Sequence, residues 1–363
     1  MQVIKVSLIF ILLCLLEAAH GHTLFTNFFV DGTNQGDGVC VREPTDRSNA
    51  NNPIPNIDGQ EMACGVNGKT GVARVCPVDG GSKVTIEWRS QPENVNAGFI
   101  ASSHKGPCAV YMKKVDSAIE DTGAGNGWFK IFEDAYSEST QKWCTDMLNE
   151  RAGHLTVTIP SALPGGYYLL RPEILALHAA SNGDPQFYIG CAQIFVQSSG
   201  TTSPSDTVSI PGYVKKDQKA LSFNLYISPL ELPYPALGPK LYQGSSSSRR
   251  AKLAVRQNGS KQSEGLKPKD CVCVNANWCG TEVPSYTDEP GCWASAEDCW
   301  QKNQECYESA PASGNRGCDA WNKKCHAIAD ACNSKSFPGP PNKGEDITPE
   351  PPSGWKLSGS SYS

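Results

Sequence analysis

The sequence predicts a mostly β protein: an antiparallel sandwich of the immunoglobulin or fibronectin type with long loops, followed by a small, disulfide-rich helical module. Short runs of alternating or β-branched residues recur without long helices between them, which is typical of a sandwich. The 363 residues include 34 glycines and 26 prolines, and only 19% are charged, as expected of a loop-rich protein. Nine of the 16 cysteines lie between positions 271 and 335, and this density predicts the separate module.

The first 21 residues have the pattern of a secretory signal peptide. A lysine supplies the positive charge, an apolar run follows over 6–16, and Ala19 and Gly21 are small residues of the kind found at a cleavage site. Cleavage after Gly21 would make His22 the first residue, and its α-amine and imidazole could then chelate one metal ion together. Cleavage one or two residues earlier is the alternative, and His22 would then be an ordinary histidine.

Residues 22–243 form the predicted sandwich. In the run 155–159, apolar residues alternate with threonines, as expected of a strand with one buried face. A long loop is predicted over 31–62, and such loops on a rigid sandwich commonly carry the functional residues. We expect strands over 23–30, 83–88, 109–114, 155–159, 167–171, 187–196 and 221–227.

Two further segments have compositions typical of unstructured chain. The polar, serine-rich stretch 244–270 predicts a flexible linker. It contains Asn258-Gly259-Ser260, an acceptor sequence for N-glycosylation. The tail 336–363 is rich in Pro, Gly and Ser and is predicted to be disordered.

The module 271–335 contains two sets of three cysteines, each set with steps of seven residues. Seven residues bring a helix back to nearly the same face, about 10.5 Å further along. Two antiparallel helices would therefore be joined by three bridges, predicted as Cys292–Cys332, Cys299–Cys325 and Cys306–Cys318. Cys279 would pair with Cys271 or Cys273. A zinc site is the alternative, but the closely spaced cysteine pairs that are typical of zinc sites are missing here.

Composition also restricts the protein's partners and compartment. The net charge of −5 gives no reason to expect nucleic acid or an anionic membrane as a partner. The sequence contains no second long apolar run, so we expect no membrane span. Loss of the signal peptide leaves fifteen of the 16 cysteines, so at least one has no partner within the chain. We expect a secreted, extracellular monomer, because disulfides persist outside the cytosol.

Four motifs follow one another in the sandwich. They are His22 after the signal peptide, His104-Lys105-Gly106-Pro107, the run Gly-Gly-Tyr-Tyr-Leu-Leu-Arg-Pro-Glu over 165–173, and Gln186-Phe187-Tyr188 before Cys191. Together they resemble the fungal lytic polysaccharide monooxygenases of auxiliary-activity family nine, formerly glycoside hydrolase family sixty-one. The resemblance covers about 22–242.

The resemblance implies one copper ion held by the amine and imidazole of His22 and by His104, with Tyr188 in the axial position. Imidazole is a suitable ligand for copper, which binds most tightly among the divalent first-row metals. His178 and Gln186 would hold and protonate the oxygen species, so His178, Gln186 and Tyr188 are the expected catalytic residues. The implied reaction cleaves a cellulose-type β-1,4-glucan oxidatively, with O₂ or H₂O₂ as co-substrate and an external electron donor.

The resemblance also implies a bridge between Cys64 and Cys191. Cys108 with Cys144 is then plausible, which leaves Cys40 with Cys76. A flat polysaccharide would bind through exposed aromatic rings, and Tyr234, between two prolines, and Tyr242 are the candidates. Trp278, Trp293, Trp300 and Trp321 of the module could form a sugar-binding face, but we expect most of them to form its core.

Other readings of the same residues remain open. The protein could be a non-catalytic copper- or polysaccharide-binding protein, or a glycoside hydrolase with two carboxylates. No pairing of carboxylates is visible in the sequence, and hydrolysis gives no reason for an N-terminal histidine. His178 could be a buried histidine and Tyr188 a core aromatic. His154 is expected to be structural and His326 to lie at the surface.

Overall fold

The computed structural model describes residues 22–244 and 261–351. The predicted signal peptide, the glycosylation acceptor Asn258 and the end of the tail, 352–363, lie outside the described residues. No described helix is both long enough and apolar enough to span a membrane.

The first domain is built from thirteen strands and two short α-helices among the described residues. The helices are α1 (Glu61–Cys64) and α2 (Cys144–Glu150). The strands are β1 (Leu24–Val30), β2 (Thr33–Asp37), β3 (Cys76–Asp79), β4 (Lys83–Arg89), β5 (Cys108–Val115), β6 (Gly125–Asp134), β7 (Tyr136–Ser137), β8 (Lys142–Trp143), β9 (His154–Thr158), β10 (Pro164–Ala176), β11 (Gln186–Ile189), β12 (Ala192–Ser199) and β13 (Val208–Ile210).

Two sheets form the sandwich, which confirms the predicted fold class. One has the order β2-β1-β4-β9, and the other has the order β13-β6-β5-β10-β12-β3. The short strand β11 pairs with the last residues of β10, beyond the part of β10 that pairs with β12. All these pairings are antiparallel except that of β12 with β3, which is parallel.

The larger sheet is buried on both faces. On β5, Val110 and Met112 point into the core between the sheets, while Ala109 and Tyr111 point into a second core. Loops on the outer side of the sheet cover this second core. Because both faces are buried, β5 and β10 read as nearly continuous apolar runs, not as alternating ones.

One strand prediction and one loop prediction were wrong. No strand forms over 221–227, where a short 3₁₀ turn, Lys219–Ser222, is followed by irregular chain. Apolar side chains here, such as Leu221 and Phe223, pack individually into the second core. The loop predicted over 31–62 contains the strand β2, which pairs with β1.

The run predicted as one strand over 187–196 is divided into β11 and β12. Gly190 lies at the break, and a Cβ atom there would be 3.1 Å from the ring of Phe25. This close approach places the end of β11 beside β1, and thus beside the first residues of the domain.

The structure pairs the cysteines as the sequence analysis expects. In the first domain the bridges are Cys40–Cys76, Cys64–Cys191 and Cys108–Cys144. In the module they are Cys271–Cys279, Cys292–Cys332, Cys299–Cys325 and Cys306–Cys318. Cys273 is buried and has no disulfide partner in the described ranges, and burial raises its thiol pKa to about 12.

The module is a helical hairpin packed on a β-hairpin. Its elements are β14 (Cys271–Asn275), β15 (Trp278–Thr281), α3 (Glu289–Ser309) and α4 (Arg316–Asn333). Trp321 is fully buried, and Trp278 packs against it edge-on, so these two tryptophans belong to the core.

Parts of the linker and the tail are ordered, unlike the prediction. Glu264 accepts hydrogen bonds from Ser117 and the Ala118 amide, and the Val75 amide donates to the carbonyl of Gly265. In the tail, the Ile347 amide donates to the carbonyl of Val272. Both segments find backbone partners on a neighbouring surface, which composition alone does not reveal.

The module is docked on the first domain through a small set of polar contacts. The Asn277 side chain donates to the Gly38 carbonyl at 2.8 Å and accepts from the Cys40 amide at 3.0 Å. The carboxylate of Glu43 accepts from both the amide and the hydroxyl of Ser313, at 2.8 and 2.9 Å. The module is therefore held in a defined position, not merely tethered.

Candidate metal centre

Three segments bring the predicted site residues to one end of the sandwich. His22 precedes β1, His104 lies in the loop before β5, and His178 follows the end of β10. Gln186 and Tyr188 lie on β11, opposite Ala176 and Ile174 of β10 in the register. Since β5, β10 and β11 are neighbours and β1 lies beside the end of β11, all these residues reach the same edge.

The loop that carries His104 is held tightly against the end of β10. The Leu175 amide donates to the Pro107 carbonyl at 3.1 Å, and the Leu177 amide donates to that of Lys105 at 2.8 Å. At Gly106 a Cβ atom would lie only 1.8 Å from the carbonyl oxygen of Leu175. A glycine is therefore required at this position for the loop to approach β10.

The segment that carries His22 is fixed by the two residues after it. The Thr23 amide donates to the Asn51 carbonyl at 3.1 Å, and the Thr23 hydroxyl donates to that of Phe99 at 2.6 Å. Leu24 and Ala50 are buried together with Ala312 of the module. The first residues of the domain are thus held by the hydrogen bonds of Thr23 and by the packing of Leu24.

The aromatic rings of the site have the spacing that one metal ion requires. The ring centres of His22 and His104 are 6.4 Å apart, with an angle of 74° between the planes. A nitrogen at about 2 Å from a metal places its imidazole centre roughly 3 Å away, so two such rings on opposite sides lie about 6 Å apart. The ring of Tyr188 is nearly equidistant, at 6.2 Å from His22 and 6.1 Å from His104.

The number of side-chain donors points to a further ligand. In the ranges 22–244 and 261–351, no three or more His, Cys, Asp and Glu side chains are placed to hold a metal ion. A metal between His22 and His104 would therefore need a donor of another kind. The α-amine of an N-terminal His22 is such a donor, and the two imidazoles fit the metal that the resemblance implies.

Burial favours the neutral form of two imidazoles of the site, those of His104 and His178. It lowers the pKa of His104 to about 4, and the neighbouring rings of His178 and His22 add to the effect. The pKa of His178 is also lowered by burial and by His22, although Asp184 opposes the change. A neutral imidazole is the form that binds a metal.

Tyr188 and Gln186 form a short hydrogen-bonded chain beside the histidines. The buried hydroxyl of Tyr188 donates to Gln186 Oε1 at 2.9 Å, and Gln186 Nε2 donates to Asp184 at 2.9 Å. Burial, followed by the charge of Asp184, raises the pKa of the Tyr188 phenol well above its usual range. The phenol therefore stays protonated at neutral pH.

His178 stands over His104, with ring centres 4.0 Å apart and planes 31° from parallel. Its buried Nδ1 atom has no hydrogen-bond partner in the described part of the chain. A buried imidazole nitrogen without a partner is costly unless a ligand or water satisfies it. The site thus contains a neutral ring that can accept or donate a proton.

The two aromatic rings predicted to bind substrate, Tyr234 and Tyr242, are partly buried and pack against other rings of the first domain. Tyr234 packs edge-on against Trp143 and Phe223, and its hydroxyl donates to the Ala220 carbonyl. Tyr242 packs on Phe129 and belongs to the margin of the main core.

The Tyr242 backbone is level with the middle of β10, because its amide donates to the carbonyl of Lys130, which pairs with Tyr111 of β5 and through it with Arg171. The Tyr242 hydroxyl donates to the carbonyl of Thr202, whose amide bonds to Ala162, just before β10 begins. His178 follows the other end of β10, a strand of 13 residues. At about 3.3 Å per residue, the level of Arg171 is roughly 20 Å from His178 along the strand.

One exposed aromatic ring beside the site is missing from the sequence prediction. Tyr226 is 71% exposed, and its hydroxyl donates to the backbone carbonyl of His178 at 3.0 Å. It lies in the run 221–227 that the sequence analysis assigns to a strand. The sequence signal that could have indicated its exposure is its position among polar and proline-rich neighbours.

The other two histidines have structural surroundings. The His154 ring packs edge-on against Phe29, and its Nε2 lies 3.5 Å from Glu87. His326 is on the exposed side of α4, in contact with Trp300.

Comparisons with a family model and with known proteins point to the same family. The model of Auxiliary Activity family 9 (formerly GH61) matches residues 22–234. The chain is 48% identical to the AA9 family lytic polysaccharide monooxygenase C of Aspergillus tamarii over 359 residues, which is 98% of this chain and 95% of the relative. It is also 48% identical to the AA9 family lytic polysaccharide monooxygenase H of Botryotinia fuckeliana, over 90% of this chain and 76% of the relative.

Two solved structures share the fold of the first domain. CvAA9A superposes with a TM-score of 0.56 and 29% identity, covering 62% of this chain and all of that one. A cellulose-active polysaccharide monooxygenase from M. thermophila superposes with a TM-score of 0.52 and 30% identity, with the same coverage.

Proposed function

The chain belongs to Auxiliary Activity family 9 and is a copper-dependent lytic polysaccharide monooxygenase, and from this premise we propose that it acts on cellulose-type β-1,4-glucan. The observation that carries the proposal is the placement of His22 and His104 with ring centres 6.4 Å apart at an open edge of the sandwich. The similarity to a structure described as cellulose-active supports the choice of glucan. We propose that the protein is secreted and acts as a monomer.

Copper bound at this site would supply the one-electron redox chemistry that uses an external electron donor and O₂ or H₂O₂. We propose that His22 holds it through both its amine and its imidazole, and His104 through its imidazole. Tyr188 would contribute its phenol beside the two histidines, because its ring lies equally close to both of them and is itself buried.

The remaining site residues would control protons and hydrogen bonds. His178 would donate or accept a proton, since its ring is neutral and its Nδ1 has no partner in the described ranges. Gln186 has one amide hydrogen committed to Asp184, and the second can donate to an oxygen species. The Tyr188 hydroxyl fixes the orientation of this amide by donating to its oxygen.

A polysaccharide chain would lie across the site on the exposed ring of Tyr226. The face of an aromatic ring carries partial negative charge and attracts the C–H groups on the face of a sugar ring. Because the Tyr226 hydroxyl is bonded to the His178 carbonyl, the ring is tied to the site. It takes the role that the sequence analysis assigns to Tyr234 and Tyr242.

Copper binding by two histidine variants tests the metal site. Loss of a group that only hydrogen-bonds to a metal ligand typically costs about 10–100-fold in metal affinity, so His104→Ala, which removes a direct ligand, should cost at least about 100-fold. The control is His154→Ala, which removes a buried histidine that faces Glu87 and should retain full copper binding. Isothermal titration with Cu(II) measures both, and stoichiometric micromolar binding by His104→Ala would contradict the site.

Product analysis tests the reaction. With cellulose, a reductant and O₂ or H₂O₂, mass spectrometry should detect oxidised cello-oligosaccharides, and omission of the reductant should abolish them. Unoxidised products with or without reductant would indicate a two-carboxylate hydrolase instead. Tight copper binding without any oxidised sugar would indicate a non-catalytic binding protein.

A further inference from the structure

The helical hairpin of the module carries a regular row of aromatic rings. In α3 each bridging cysteine is followed directly by an aromatic residue, namely Trp293, Trp300 and Tyr307. The cysteines are buried, whereas Trp293 is 43% exposed and Tyr307 is 38% exposed. Trp300, between them, is partly buried against the module core. We call these three residues the aromatic row.

Polar residues of α4 lie beside the aromatic row. They too follow the bridging cysteines directly, and all three are exposed: Asp319, His326 and Asn333. The Tyr307 hydroxyl donates to Asp319 at 2.6 Å, and the His326 ring contacts that of Trp300 edge-on at 4.9 Å. Rings and polar groups therefore share one face of the hairpin.

The opposite side of the hairpin is covered by the β-hairpin of the module. Lys302 of α3 donates to the Thr281 carbonyl of β15, and Lys324 of α4 pairs with Glu282 at 3.0 Å. The aromatic row thus does not face the β-hairpin. Large rings at the surface of a soluble protein commonly mark a binding site.

The spacing of the aromatic row fits an extended sugar polymer. Steps of seven residues in a helix are about 10.5 Å long, so the three rings extend over about 21 Å. In an extended β-1,4-glucan, alternate sugars present the same face, and the two-sugar repeat has about the same length as one step. Each ring of the row would therefore meet an equivalent sugar.

We propose that the aromatic row and the polar residues beside it bind an extended β-1,4-glucan chain at a solid surface. This inference rests on the proposed function for the choice of polysaccharide, but the binding face is separate from the histidine site. The rings would stack on sugar faces, and Asp319, His326 and Asn333 offer partners for the sugar hydroxyls.

The charge of the face favours a neutral ligand. The six positions include one carboxylate, Asp319, and no lysine or arginine. A phosphate-bearing or sulfated polymer would require cationic partners, which these positions do not supply. The contacts of Ser313 with Glu43 fix the module on the first domain, so binding here would hold the whole enzyme at the polysaccharide surface.

Adsorption to microcrystalline cellulose tests the proposal. The copper-loaded full chain is used without reductant, so that no turnover occurs. Each ring is expected to contribute about fivefold to affinity, and the double variant Trp293→Ala/Tyr307→Ala should therefore bind about 25-fold more weakly. Tyr307→Phe keeps the ring and should bind like the wild type. Glu305→Ala, an exposed change elsewhere on α3, is the matched control.

Several outcomes would overturn the proposal. Adsorption of the double variant within twofold of the wild type would do so, as would equally tight binding of the wild type to granular starch, whose chains coil. If the double variant does not fold, the single variants Trp293→Ala and Tyr307→Ala are judged by the same criterion. Oxidation of soluble cello-oligosaccharides should be unchanged in all of them, and its absence in the wild type would contradict the proposed function alone.

Discussion

The Tyr188 hydroxyl donates to the amide oxygen of Gln186, and this bond decides which way the amide faces. The hydroxyl cannot lose its proton near neutral pH, because burial raises its pKa. It is therefore a fixed donor, and the NH₂ group of Gln186 is the end left for Asp184 and for a ligand. The Tyr188 hydroxyl thus decides which end of the Gln186 amide is left to face a ligand.

Removal of this hydroxyl should reduce oxidation without loss of the metal. Tyr188→Phe keeps the buried ring but frees the Gln186 amide to rotate, so we expect the oxidation rate to fall about tenfold, in the range found for residues that orient a metal site. Copper stoichiometry should stay at one, and the free energy of unfolding should fall by about 1 kcal/mol. The Cu(II) electron paramagnetic resonance spectrum should shift.

Tyr168→Phe provides the matched control. Tyr168 is also fully buried on the sheet, and its hydroxyl donates to the Pro164 carbonyl at the far end of β10. It should show a similar loss of stability and an unchanged oxidation rate. Equal effects of both variants on the rate would show that the Tyr188 hydroxyl has only a structural role.

At the scale of elements, the loop before β5 depends on a single glycine. Any side chain at Gly106 would collide with the carbonyl of Leu175, and the collision involves backbone atoms that cannot move aside cheaply. The loop would have to move away from β10, and His104 would move with it. The site therefore depends on loop packing as much as on its ligands.

Gly106→Ala should consequently weaken both folding and copper binding. We expect a loss of about 2–3 kcal/mol of stability, as is typical of strain in a packed backbone. This corresponds to a fall in Tm of roughly 4–12 °C for a domain of this size. In Gly59→Ala the nearest atom would be 3.1 Å away, so that variant serves as the control. Calorimetry and copper titration measure both effects, and unchanged affinity in Gly106→Ala would contradict this account of the loop.

The elements that sequence predicts well are those with a strong local pattern. Gln186 and Tyr188 are two residues apart on a strand, so the two-residue period of a strand is enough to predict that their side chains lie on the same face. The seven-residue steps between the cysteines of the module similarly predicted the helical hairpin and its three bridges. In each case a local rule decides the outcome.

Exposure of an aromatic ring depends on distant parts of the chain. Tyr234 is covered because Trp143 and Phe223 arrive beside it from other segments, and no local rule contains that information. Tyr226 remains exposed because its segment does not form the predicted strand. The sequence therefore predicts which side chains meet at the histidine site better than it predicts which aromatic rings are exposed.

On the scale of the whole molecule, Glu43 joins the two domains. Burial raises its pKa to about 8, although its hydrogen bonds from Ser313 oppose the change; Asp37 and Arg89 are the nearest charges. A carboxyl group whose pKa is higher in the folded state than in the unfolded state binds more protons when folded. Stability is therefore lost as the pH rises from about 4.5 to about 8.

A neutral replacement should remove this pH dependence. We expect the Tm of the wild type to fall between pH 5 and pH 8 more steeply than that of Glu43→Gln, whose side chain cannot ionise. The variant keeps an oxygen that can accept from the Ser313 amide, so its Tm at pH 5 should remain close to that of the wild type. Parallel curves for the two proteins would show that Glu43 does not control the docking of the module.

The central claim is that an N-terminal His22 holds copper through its own amine together with two imidazoles. The most direct measurement compares Cu(II) binding by protein that begins at His22 with protein that carries one additional alanine before it. The additional residue converts the amine into an amide but leaves both imidazoles in place, so we expect the affinity to fall by at least about 100-fold. Equal affinity and equal oxidative activity of the two proteins would contradict the account.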